Sequence, residues 1–220
     1  MDVFDLVAGR DDAALKQALA ADPEAAARRN GEGASLLAFA AYNGNAEAIE
    51  LIRAARPAID AHEAVILGDL DRVRAALGEG WDANQRSPDG FTPLSLAAFF
   101  SRRDIFDLLL PATADVNARA TNAQEVAALH AAAAVRAIWA VEKLLRAGAD
   151  PNLPQQQGFV ALHTAAMHGD ALMAGLLLLF GGDPKRKDAA GKSAADHARN
   201  SGHAWLAERL DAASPPAAKT

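Results

Sequence analysis

Cysteine is absent from the 220 residues of this chain. That excludes a disulfide framework and all thiol chemistry, and it fits a reducing compartment. Excess positive charge is absent too. The formal net charge is -6 and the isoelectric point is near 5.5. A phosphate-binding surface needs a basic stripe, so a nucleic-acid partner is not expected. The N-terminus, Met1-Asp2-Val3-Phe4-Asp5-Leu6, is acidic and lacks a basic segment followed by a long apolar run. No signal peptide is expected from it. The apolar run Leu176 to Phe180 is far too short to cross a bilayer. These absences point to a cytoplasmic protein without a membrane segment. Catalytic patterns are missing as well. There is no G-x-S-x-G, H-E-x-x-H, P-loop or helix-opening G-x-G-x-x-G. The carboxylates Asp104, Asp107, Glu142 and Glu208 are scattered over helices, where a solvated face explains them. No enzyme, metal site or cofactor is expected. What is abundant is alanine, roughly a quarter of the residues, which suits close helix stacking at the expense of core volume.

The stretch from Asp89 to Phe100 organises the rest. Pro88-Asp89-Gly90 is a turn tripeptide, because Pro presets φ and Gly accepts positive φ. Thr92 is placed to cap a helix whose first residue is Pro93, a position that needs no N–H donor. Leu94, Ala97 and Ala98 then fall on one helical face. The pattern recurs at Gly33 to Ala41, Ala128 to Ala133, Gly158 to Ala166 and Gly191 to Ala198. At the histidine position the steps from His130 to His163 to Asp196 are 33 residues each. The second half of the unit recurs too, in Leu144-Leu145-Arg146-Ala147-Gly148-Ala149-Asp150-Pro151-Asn152 and Thr113-Ala114-Asp115-Val116-Asn117.

A period of 33 with a T-P-L-H-x-A core resembles the ankyrin repeats, and the resemblance covers nearly the whole chain. It implies an all-α ankyrin-repeat solenoid of stacked antiparallel helix pairs joined by short β-hairpin fingers, with about seven pairs including caps. The units fall at about 1–29, 30–60, 61–84, 85–118, 119–152, 153–185 and 186–213 of a single domain. Residues 214–220 form a tail expected to be disordered. The third unit is short: the step from Ala38 to His62 is 24 residues. The missing residues are those of the finger, so a gap in the row of fingers is expected there, with the helices still stacked. The step from Ser95 to His130 is 35, which requires a two-residue bulge in the loop Arg119 to Gln124. The outer units lack one neighbour and read as caps.

His62, His130 and His163 hold the fourth motif position. The resemblance implies that they tie neighbouring units together by hydrogen bonds. The alternative, metal binding, needs donors within about 2.1 Å of one ion, and residues one unit apart sit roughly 8–10 Å apart. Several positions depart from the family pattern. Ser101 and Arg136 replace the glycine between helices, and Thr113 replaces the glycine after the outer helix. Val160-Ala161 and Ala127-Ala128 lack the Thr-Pro cap, an omission worth about 1 kcal/mol each.

The resemblance also implies where a partner binds: on a concave face made of finger tips and the last residues of each inner helix. The corresponding residues here are Tyr42, Ile66, Leu67, Phe91, Phe99, Phe100, Val135, Phe159, Met167 and His168. An apolar and aromatic track of this kind marks an interaction site. Internal packing is the competing explanation for the phenylalanines and for Ile66 and Leu67. Trp139 and Trp205 lie two periods apart, on outer helices, and either fill space left by alanines or make a contact on the opposite face. Trp81 is placed to shield the short third unit. The function expected is non-catalytic: a monomeric module holding a protein partner. The alternative is an inhibitor or immunity-type protein that blocks a partner enzyme.

Overall fold

The computed structural model of the chain describes residues 2–56, 58–113 and 115–213; the expected tail 214–220 lies outside these. Among the described residues the secondary structure is helical, with antiparallel bridges only at Arg29–Ser35 and Lys187–Ser193. The hairpin fingers are therefore turns closed by at most one bridge. Backbone contacts divide the chain into two compact units, Met1–Gly90 and Phe91–Thr220.

The first unit holds three helix pairs: α1 (Val3–Ala8) with α2 (Asp12–Ala21), α3 (Leu36–Tyr42) with α4 (Ala46–Ala55), and α5 (Ala61–Leu67) with α6 (Leu70–Gly78). The second holds four: α7 (Pro93–Phe99) with α8 (Arg103–Leu109), α9 (Ala128–Ala134) with α10 (Ile138–Arg146), α11 (Ala161–Met167) with α12 (Ala171–Leu179), and α13 (Ala194–Asn200) with α14 (Ala204–Ala212). In each unit the first helix of a pair stacks on the first helix of the next, as α3 does on α5 and α7 on α9. Helices of seven residues are too short to stand alone in water. They persist because alanines and leucines on their shared faces are removed from solvent, among them Leu36, Leu37, Leu94, Leu96, Leu129 and Leu162.

The caps follow the sequence. The Thr92 hydroxyl accepts from the Ser95 N–H at 3.2 Å, with Pro93 at the first helical position. Ser101 and Arg136 take φ of 54° and 57°, doing without glycine what glycine does at equivalent turns. Thr113 does not. It sits at φ -82°, because α8 runs into a 3₁₀ turn at Leu110–Ala112 instead of a left-handed cap. Its hydroxyl donates to the Leu109 carbonyl at 2.9 Å. The two-residue bulge is taken up by a turn in which Glu125 has φ 51° and its N–H donates to the Asn122 carbonyl.

The short third unit corrects one expectation: no gap opens in the row of fingers. A methyl group built on Gly33 would lie 2.4 Å from the Pro88 carbonyl oxygen, so the second and fourth fingers press directly together. The Tyr42 hydroxyl, 47 residues from its acceptor, donates to the buried Asp89 carboxylate at 2.8 Å, and the Ser87 hydroxyl donates to the other oxygen. The third pair itself is closed by charge. Asp60 caps α5, and Glu63 reaches back to the Asp60 N–H at 3.0 Å. Arg56 donates to both Glu63 oxygens at 2.5 and 2.6 Å, and only 2% of the Glu63 side chain is exposed. Trp81 packs edge-on to His62, with ring centroids 5.3 Å apart.

Candidate protein-binding face

The three motif histidines each bridge two chain segments in the same way. Nε2 of His62 lies 2.7 Å from the Gln85 carbonyl, that of His130 2.8 Å from Leu153, and that of His163 3.1 Å from Arg186. Each acceptor stands 23 residues downstream, at the base of the next finger. In His130 and His163 the other ring nitrogen, Nδ1, accepts from the N–H of Ala127 and Val160 at 3.1 Å. That fixes the neutral Nε2–H tautomer and gives these two helix starts part of what the absent Thr-Pro would supply. In His130 and His163 both ring nitrogens are thus engaged by the backbone. Asp196 stands in the last motif position, and its carboxylate accepts from the Ser193 N–H at 2.9 Å. His197 next to it donates to, or is paired with, the buried Asp188 carboxylate at 2.8 Å.

Burial pushes the pKa of His130 and His163 below the ordinary imidazole value, against the bond to the downstream carbonyl, which raises it. The unfolded chain therefore takes up protons that the folded chain refuses. Stability from these sites is complete above the unfolded value of about 6.5 and is lost as the pH falls through that value towards the depressed folded one. The urea midpoint is expected to fall between pH 7.5 and pH 5 in the wild type. It is expected to fall less in a His130→Gln/His163→Gln variant; an equal fall in both would show that other groups control acid stability.

A second ladder of bonds escaped sequence reasoning. The Asn117 side-chain oxygen accepts from the Asp150 N–H and that of Asn152 from the Asp183 N–H, at 2.8 and 2.7 Å. The asparagine of each G-A-D-x-N segment thus holds the start of the next; the recurrence of Asn at that place was the available signal. Fingers of the second unit are also joined backbone to backbone: Gln156 N–H to the Gln124 carbonyl, and Ala189 N–H to the Gln157 carbonyl.

Upon this frame sit the residues named as a binding track. In the first unit Ile66 is only 2% exposed, so it belongs to the core of α5 and not to a surface. Leu67 is half-buried. Tyr42 is half-buried with its hydroxyl committed to Asp89, and burial followed by the Asp89 charge raises its pKa far above the ordinary phenol range. In the second unit Phe99 and Met167 are exposed, at 40% and 42%, at equivalent places on the last residue of α7 and α11. Ala134, exposed at the end of α9, holds the same place between them. Phe100, one residue on, meets Phe99 edge-on at 5.2 Å. Val135 and His168 follow α9 and α11 at the corresponding position, half-buried and exposed. Phe91 and Phe159 are half-buried on their fingers, and Phe159 stacks against both His163 and His197 at 5.4 and 4.9 Å. Beside it a shallow cleft of about 490 Å³ is lined by Gln157, Phe159, Asp188, Lys192 and His197. Among the described residues no three His, Asp or Glu side chains converge as a metal site would require, and no helix is long and apolar enough to cross a membrane.

A family model described as ankyrin repeats (3 copies) matches residues 61–155 and 129–214. The chain is 44% identical over 69 residues to the ARF GTPase-activating protein GIT2 of Mus musculus, covering 31% of this chain and 10% of that protein. The human GIT1 match has the same identity and length, with 9% of that protein covered. The human SH3 and multiple ankyrin repeat domains protein 1 is 37% identical over 119 residues, 53% of this chain and 5% of that protein. The chain thus spans a tenth or less of these relatives' own length.

Proposed function

Because this chain belongs to the ankyrin-repeat family, we propose that it is a non-catalytic protein-binding module whose partner docks on the face formed by inner-helix ends and fingers. The observation that carries the reading is the exposure of Phe99 and Met167 at equivalent helix ends, with the small Ala134 at the place between them. Large apolar side chains left in solvent on a rigid surface are the kind that anchor interfaces. The His and Asn ladders hold that surface in place before a partner arrives, so little ordering entropy is lost on association. The GTPase-activating activity named for the GIT relatives belongs to proteins of which this chain covers a tenth or less.

The expected result for Phe99→Ser/Met167→Ser is a folded protein, judged by circular dichroism, whose affinity for its partner falls by about 100-fold, roughly 1.4 kcal/mol per side chain. The comparison is made by affinity capture followed by titration with the captured partner. A folded double variant that keeps full affinity would move the site elsewhere. Loss of the helical signal would show that the two side chains are core.

A further inference from the structure

The outer helices of the second unit carry a different apolar surface. Helix α12, Ala171–Leu179, contains no polar side chain at all, and a helix apolar all round is ordinarily buried. Yet Leu172 is 68% exposed and Leu179 79%, two turns apart on one face. Gly175 lies between them, and a methyl group built on it would meet nothing within 4 Å. Glycine weakens an exposed helix interior relative to alanine, which this chain uses freely, so the fold itself does not call for glycine there. A close-approaching surface would. The neighbouring outer helices are in register at 33-residue steps: Trp139, Leu172 and Trp205 are equivalent, and so are Glu142, Gly175 and Glu208. Trp205 is 52% exposed. Trp139, half-buried, packs edge-on to Phe106 with Arg103 over its ring.

We propose that this face is a two-fold interface between two copies of the chain, with the α12 helices antiparallel and the axis passing between Gly175 and Leu176. That single register settles five contacts together. Leu172 of one copy meets Leu179 of the other, and Leu176 enters the notch over Gly175. On the flanks, the two-fold runs along the direction in which the helices stack, so α10 faces α10 and α14 faces α14, which sets Glu142 against Lys143, Glu208 against Arg209 and Arg146 against the Trp139 indole. The charges are opposite at both rim pairs. Glu208 has no ion pair among the described residues, and the present partners of Lys143 and Arg146 are exposed ion pairs that bind weakly. Shifting the axis by half a residue to Gly175 itself would bring Glu142 against Glu142 and Glu208 against Glu208, so charge selects the register. Leu172, Leu179 and Trp205 leave on the order of 400 Å² exposed per copy. Two copies with Leu176, Trp139 and the charged rim bury about 1,000 Å², the lower bound for a specific interface, so the dimer is weak and reversible, with a dissociation constant of roughly 10–500 μM.

The absence of native cysteine makes the test direct. Sedimentation equilibrium of the full chain is expected to show a monomer–dimer equilibrium in that range. Under mild oxidation Leu176→Cys is expected to cross-link to itself. Leu172→Cys and Leu179→Cys are each expected to form no cross-link alone and to cross-link when mixed, because equivalent residues seven positions apart stand about 10 Å apart along antiparallel helices, beyond disulfide reach. Leu172→Glu/Leu179→Glu, both exposed sites, is expected to keep its circular dichroism and raise the dissociation constant at least 100-fold. It is expected to leave partner binding through Phe99 and Met167 unchanged, which separates this interface from the proposed binding face. Lys143→Glu is expected to weaken the dimer and Glu142→Lys/Lys143→Glu to restore it. A monomer at all concentrations up to about 1 mM, or self-cross-linking of Leu172→Cys, overturns the proposal.

Discussion

Gly33→Val is expected to destabilise the protein by about 3–4 kcal/mol, a large share of the roughly 5–15 kcal/mol available to a natural domain. Two costs add. Gly33 has φ +91°, a conformation that costs a side-chain-bearing residue about 1–2 kcal/mol and a β-branched one more. The new side chain would also start 2.4 Å from the Pro88 oxygen and 2.7 Å from its carbonyl carbon, backbone atoms that move only if the whole finger moves. Overpacking of that kind costs about 1–3 kcal/mol. Gly44→Val separates the two. Gly44 has φ +61° but open space where its Cβ would lie, so only the backbone cost is expected there. Denaturant unfolding of both variants checks this. Equal losses at the two sites would mean that the second and fourth fingers are not in contact.

Glu63→Ala is expected to cost about 3–5 kcal/mol, the usual penalty for leaving a partly buried charge without its partner. The Arg56 side chain is 25% exposed, so water relieves part of the loss and the lower end of the range applies. The same carboxylate closes the capping box on α5, and its removal frees the Asp60 N–H as well. A replacement of both ends, Arg56→Met/Glu63→Leu, is expected to recover most of the stability, because a well-packed apolar pair of similar volume matches or exceeds a buried ion pair. If Glu63→Ala unfolds at a denaturant concentration close to wild type, the short third unit is not held by this pair.

How much of this was legible beforehand differs by level. The motif around Pro93 gave the helix starts, because Thr, Pro and the apolar spacing act locally, over residues that touch one another in the chain. The 33-residue recurrence located the histidine bridges, although the second role of their Nδ1, accepting at the helix start, needed coordinates. Counting residues revealed that the third finger was missing. It did not reveal that the neighbouring fingers would close up, since that depends on contacts such as Gly33 with Pro88, 55 positions away in sequence. Ile66 is a second case. Its place before a glycine suggests a surface, but α5 buries five of its seven residues and Ile66 is one of them. On the binding face, helix-end counting picked out Phe99 and Met167 as readily as Ile66 and Leu67, and only packing separates the exposed from the covered. The apolar outer face of α12 was visible as a run of leucines yet read only for its length.

The histidine bridges also bear on how the stack would respond to force. Each imidazole pins the start of one helix to the base of the next finger, so it works as a rivet through two layers. Load applied to a finger passes through the ring into the helix below it before reaching the loops on either side. In the second unit two such rivets, His130 and His163, lie one above the other with the Asn117 and Asn152 staples alongside. Fastening at regular intervals of this kind is expected to spread a bending strain within the second unit over several joints at once.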